Sequence, residues 1–143
     1  MSVANFLKTK GNSVYSVRED ASLREAILLL NTKNIGVVLV TTPDNMLTGI
    51  LSERDIIRRA LVQETGFRDE SVSKTMTKKV KSVTRSASID DVMTLMTNSR
   101  FRHVPIVEDG KIYGLISIGD VVKIKIAEAE NEAAALREYI ATG

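Results

Sequence analysis

One pattern is written twice in this chain, and it constrains the fold more than any other feature. Gly49-Ile50-Leu51-Ser52-Glu53-Arg54-Asp55 and Gly114-Leu115-Ile116-Ser117-Ile118-Gly119-Asp120 both read glycine, two aliphatics, serine, two variable residues and aspartate. Apolar residues at helical spacing follow each copy: Ile56, Ile57, Ala60 and Leu61 after the first, Val121, Val122 and Ile124 after the second. A Ser with an acidic residue three positions later is the signature of a capped helix start. Each copy is therefore a strand-to-helix corner.

The repetition extends through both halves. Val14, Ser16 and Val17 match Val80, Ser82 and Val83 at an offset of 66, and Ala21-Ser22-Leu23 matches Ala87-Ser88-Ile89 at the same offset. Ser22 with Glu25, and Ser88 with Asp91, predict capping boxes for one helix in each half. The first of these helices carries Leu23, Ala26, Ile27 and Leu30 on one face and is expected to end near Asn34. Ile35 to Val40 is a continuous β-branched run, as in a strand buried on both faces. Thr42-Pro43-Asp44-Asn45 reads as a turn, and Met46 to Leu51 as a second strand. In the second half Val40 aligns with Val107 after a one-residue insertion, and a two-residue deletion brings Gly49 onto Gly114. Such registration is the mark of a duplication.

Each half is thus strand, helix, strand, strand, helix. A unit of about 55 residues buries too little surface to stand alone. The expected fold is α/β (α+β): a pseudo-twofold tandem repeat of β-α-β-β-α units packed sheet to sheet, with an extended C-terminal helix. The expected boundaries are 8–62 and 73–127 for the repeats, 63–72 for a linker and 128–143 for a helical tail. Val3, Phe6 and Leu7 give the lead-in the spacing of a helical turn packed on the body. The tail exceeds what the repeat needs and is expected to pack on a partner subunit or on that lead-in.

Composition removes several functions. With no cysteine and one histidine, His103, thiolate and His-rich metal sites and cysteine nucleophiles are excluded. Twenty Lys and Arg against 18 Asp and Glu leave a net charge of +2, and with no Trp and three each of Phe and Tyr there is no basic aromatic stripe for nucleic acid. No apolar run has membrane-helix length, and Met1 to Lys10 lacks a signal-peptide core, so a cytoplasmic location is expected. Glu53 with Asp55, and Asp90 with Asp91, occupy cap positions with no nucleophile or base nearby, which argues against an enzyme. No phosphate-loop or Gly-x-Gly-x-x-Gly motif occurs; Gly36 and Gly110 fit close-packing and turn roles.

The corners admit two readings. Ser52 and Ser117 as N-caps, with Asp55 and Asp120 at the third helical position, satisfy free amides and complement the helix dipole. The same geometry offers free amides and partial positive charge to a phosphate, and a carboxylate to two vicinal hydroxyls. Arg102 and His103 open a strand beside this chemistry; alternation along it sends neighbouring side chains to opposite faces, and the planar fork of Arg suits phosphate better. Lys74, Lys78, Lys79 and Lys81 form either a solvated face or a second phosphate-side group.

With these motifs in hand, residues 8–127 resemble tandem cystathionine-β-synthase (CBS) domain pairs, or Bateman modules. The resemblance rests on Ile35 to Val40 with Gly49 to Asp55, and on Arg102-His103-Val104-Pro105-Ile106-Val107 with Gly114 to Asp120. It implies a regulatory module that binds an adenine nucleotide between the repeats, with no cofactor required. It nominates Asp55 and Asp120 for ribose, Ser52 and Ser117 for ribose or phosphate, and Arg54, Arg102 and His103 for phosphate, with Pro105 in the same motif. Val83 and Thr84, or Val17 and Arg18 in the other half, are nominated for adenine. With Ser-Glu-Arg-Asp in its first repeat and Arg-Phe-Arg-His-Val-Pro in its second, the chain is especially similar to stand-alone bacterial pairs that take AMP or NAD(H). ADP and ATP share the adenosine half. The resemblance also implies a homodimer and a separate target protein. The two clefts are expected to differ, because Arg102 and His103 have no counterparts in the first repeat, and the Ser117–Asp120 corner is favoured for the nucleotide. A ligand-independent dimeric scaffold is the alternative function.

Overall fold

The computed structural model describes residues 1–11 and 14–142. In chain order the elements are α1 (Val3–Lys10), β1 (Ser16–Arg18), α2 (Leu23–Lys33), β2 (Val37–Thr41), β3 (Leu47–Ser52) and α3 (Glu53–Val62). Two short 3-10 turns, Phe67–Asp69 and Val72–Lys74, lead to α4 (Ile89–Ser99), β4 (His103–Glu108), β5 (Lys111–Ser117) and α5 (Ile118–Thr142).

Capping fixes the helix starts. Ser52 and Ser88 form reciprocal boxes with Asp55 and Asp91. Ser117 and Asp120 exchange the same two bonds, at 3.1 and 2.9 Å. At α2 the Ser22 hydroxyl accepts from the Glu25 amide at 3.2 Å, while Ser22 itself is bridged to Ser71 in the connecting segment. α2 ends at Asn34 and α4 at Arg100, both left-handed (φ 54° and 58°), so the two repeats terminate this helix in the same way.

The sheets repeat with one instructive difference. β2 lies between parallel β1 and antiparallel β3. β4 pairs antiparallel with β5, and Val83 supplies only a single parallel bridge to Ile106 where a third strand was expected. Val17 faces Val40 in the first sheet as Val83 faces Ile106 in the second, so Val40 corresponds to Ile106 and not to Val107. No insertion is needed, and Leu39 then corresponds to Pro105. The Leu39 amide donates to the Tyr15 carbonyl at 3.0 Å; Pro105 has no N–H to donate, and the strand shrinks to a bridge. A bulge falls at the same place in both hairpins, between Val40 and Thr41 and between Ile106 and Val107. The β4–β5 turn holds Asp109 (φ 53°) and Gly110 (φ 77°), the pair of positive dihedrals a tight two-residue hairpin requires. Gly36, by contrast, is exposed, and a Cβ there would meet nothing within 4 Å, so close packing is not its role.

The repeats exchange short segments. One core joins Leu23, Ala26, Leu30, Val38, Val40 and Leu51 of the first half to Val72 of the connection. The other joins Ile89, Val92, Met96, Val104, Ile106 and Ile116 to Val3 and Phe6 of α1. The hydrogen bonds are reciprocal: the Val3 amide donates to the Ala87 carbonyl at 2.9 Å, and the Val72 amide to the Ala21 carbonyl at 2.8 Å. Ser2 bridges Ser88 as Ser71 bridges Ser22. The exchange explains the motif glycines. A Cβ on Gly49 would lie 2.7 Å from Met76 Sδ and 2.9 Å from the Thr77 carbonyl oxygen, and one on Gly114 would lie 2.6 Å from Leu7 Cδ2. Both corners are bare so that the arm of the other repeat can cross them.

The halves also touch at their hairpins, where the Leu47 amide donates to the Gly110 carbonyl at 3.2 Å. α5 meets the lead-in through the Met1 ammonium and Glu128 at 3.3 Å, and its residues 130–142 are exposed.

Candidate functional site

The first corner and the second repeat meet at one cavity of about 700 Å³. Ser52, Glu53, Arg54 and Asp55 enter it from the β3–α3 corner, and Arg58 joins them one turn along α3. Arg100, Phe101, Arg102 and His103 enter from the segment joining α4 to β4. Gly36 and Val37, the counterparts of Arg102 and His103, line it too, as does Thr77 of the exchanged arm. The floor combines apolar surface, from Val37, Ile50, Ile57 and Phe101, with a rim of guanidinium groups.

Asp55 is held by the corner. Its Oδ2 accepts from the Ser52 amide at 3.0 Å, and Thr77 Oγ1 lies 3.4 Å from both carboxylate oxygens. A carboxylate offers about four acceptor directions, so capping leaves capacity for a ligand hydroxyl.

The second corner is arranged differently. Ser117 and Asp120 do not line this cavity. Asp120 Oδ2 accepts from the Ser117 amide and hydroxyl, both at 2.9 Å, and from Lys10 Nζ of α1 at 2.7 Å. Burial pushes the Asp120 carboxyl up, but the Lys10 ammonium and the two Ser117 donors outweigh it and hold the group below its ordinary value. His103 stands between the corners: it faces Ser117 in the β4–β5 ladder while lining the first-corner cavity. Burial lowers its imidazole pKa; Asp120 opposes that, and Lys10 and Arg102 add to it.

The other nominated residues lie elsewhere. Val17 and Arg18 line a separate polar hollow with Asp20, Glu25 and Asn45. Val83 is tied to β4, its amide donating to the Pro105 carbonyl at 3.1 Å, and Pro105 itself is buried within β4. Thr84 Oγ1 is hydrogen-bonded to Ser86 Oγ at 2.8 Å. Of the stretch from Lys74 to Lys81, Thr77 alone lines the cavity. Reading by sequence missed Arg58, Arg100, Phe101 and Thr77. Arg58 was within reach, four residues from Arg54 on one helix face. Thr77 was not, since only the exchange of arms brings it there.

Comparison with known proteins agrees with this architecture. The CBS domain family model matches residues 9–62 and again 70–126. The chain belongs to the CBS domain family. Two curated relatives are similar to it. A 17.7 kDa protein of Acidianus ambivalens is 37% identical over 111 residues, spanning 77% of this chain and 66% of its own length. The mitochondrial CBS domain-containing protein CBSX3 of Arabidopsis thaliana is 32% identical over 149 aligned positions, spanning 99% of this chain and 72% of its own length. A crystal structure of a CBS-domain containing protein from Agrobacterium tumefaciens superposes with a TM-score of 0.80 at 41% identity, covering 87% of this chain and 92% of that one. The structure of CBSX2 in complex with AMP shares the fold at a TM-score of 0.74 and 24% identity, covering 90% of this chain and 98% of that one. The CBS pair is a regulatory module, and no enzymatic family is indicated for the chain. Among the described residues no helix is long and apolar enough to cross a membrane, and no cluster of three or more His, Asp or Glu could hold a metal ion.

Proposed function

We propose that this chain is a non-enzymatic sensor that binds one adenine nucleotide, AMP or a relative such as NAD(H), ADP or ATP, at the first corner. The observation that carries this reading is the convergence of Ser52–Asp55 from one repeat and Arg100–His103 from the other on a single cavity. Asp55 takes the ribose hydroxyls, Ser52 and the start of α3 take phosphate together with Arg54 and Arg102, and adenine rests on the apolar floor. Binding of AMP by CBSX2, a protein of the same fold, supports the choice of ligand class. A ligand held by both repeats favours one arrangement of them over others, which is what a signal requires. Ser117 and Asp120 do not line this cavity and Asp120 is paired with Lys10, so the reading assigns one nucleotide per chain, at the first corner.

Transmission runs through the helices. Leu61 and Val62 on α3, and Ile118, Val122 and Ile126 on α5, are exposed, and an apolar groove lies between α4 and α5. These faces fit a homodimer whose geometry the nucleotide biases, read out by a target protein. The same exposed faces favour a second reading, a dimeric scaffold indifferent to ligand. Titration calorimetry with adenine nucleotides, paired with sedimentation, separates the two. The sensor binds with a stoichiometry of one per chain; the scaffold assembles and gives no heat with AMP, ATP or NADH up to millimolar concentration.

A further inference from the structure

Four arginines line the cavity: Arg54 and Arg58 from α3, and Arg100 and Arg102 from the α4–β4 segment. Among the described residues, the arginines in salt bridges are Arg18, Arg24, Arg59 and Arg85, and none of those four lines the cavity. The division is sharp within α3, where Arg59 is bound to Glu70 at 2.6 Å while its neighbour Arg58 faces the cavity.

The duplication shows where the charge was placed. Asn34, Gly36 and Val37 of the first repeat correspond to Arg100, Arg102 and His103 of the second, with the same helix end and the same carbonyl-to-amide bond onto the following helix. Arg100 takes the left-handed cap conformation at φ 58°. Asn is common in that conformation, whereas Arg gains nothing locally from it. Arg100 is also one of the residues that line the cavity.

We infer that the site selects nucleotides carrying two or more phosphoryl groups over monophosphates. The inference rests on the nucleotide reading above. A guanidinium engages phosphate oxygens in pairs, and four of them against the two carboxylates of Glu53 and Asp55 leave the cavity lining net positive. A phosphoryl chain with more negative charge gains more from this positive lining than a single phosphate does. A second phosphoryl group also lets one ligand reach arginines supplied by both elements, α3 and the α4–β4 segment.

The test is calorimetry at constant ionic strength with adenosine, AMP, ADP and ATP, repeated on the full chain carrying Arg58→Gln and Arg100→Gln. Both side chains are exposed, so the double variant is expected to melt where the parent does. The expected result is an affinity for ADP at least tenfold above that for AMP in the parent, with the double variant narrowing that ratio to below threefold. AMP binding as tightly as ADP overturns the inference and leaves the nucleotide site standing. No binding of any of the four compounds overturns the nucleotide reading itself.

Discussion

At the residue scale, the two motif glycines do the same job against different neighbours. Gly49 is crossed by the backbone carbonyl of Thr77 and by Met76, while Gly114 is crossed by the end of the Leu7 side chain. A side-chain tip can turn aside; a carbonyl within a hydrogen-bonded bridge, as between Ile50 and Thr77, cannot without breaking it. Gly49→Ala is therefore expected to destabilise the fold by about 1–3 kcal/mol, in the range of core overpacking, and Gly114→Ala by less. Chemical denaturation of the two variants side by side checks the order, and equal losses would show that the arms do not cross the corners as described. The corner residues divide along a similar line. Ser52, Asp55, Ser117 and Asp120 were legible as caps because capping is local chemistry with a fixed spacing. Sequence reasoning favoured the second corner because Arg102 and His103 are its neighbours along the chain, whereas the folded chain carries them to the cavity of the first.

At the element scale, the helices and hairpins of the repeat were readable from period and caps, and the exchange of arms was not. Val3 and Phe6 sit in an eight-residue helix, and Val72 in a polar stretch with no period. Their burial comes from the other repeat, which no local pattern encodes. The missing third strand of the second sheet has the same kind of cause: Pro105 reads as part of a motif, and its cost appears only once its ladder partner is known. Exchange makes α1 a structural member of the second repeat. Phe6 is 5% exposed within that core, so Phe6→Ala is expected to cost about 3–5 kcal/mol. Its effect on amide hydrogen exchange should fall on α4, β4 and β5 more than on α2 and β2. Protection lost first from α2 and β2 would contradict the assignment.

At the scale of the whole molecule, the duplication has produced a symmetric frame with asymmetric contents. One corner opens onto a cavity rimmed by four arginines; the other holds its aspartate against Lys10. The symmetric part was visible in the sequence because it governs folding. The asymmetric part depends on which loop faces which corner, and that is decided by the packing of the two halves. The central claim is that the nucleotide occupies the first corner alone. Calorimetric titration of ATP into Asp55→Ala and Asp120→Ala tests it most directly, with melting curves confirming that both variants are folded. The account predicts that Asp55→Ala loses at least tenfold in affinity, while Asp120→Ala retains one site per chain within about threefold of the parent, the scale of a sub-kcal/mol change. Loss of binding in Asp120→Ala with Asp55→Ala unaffected would contradict it.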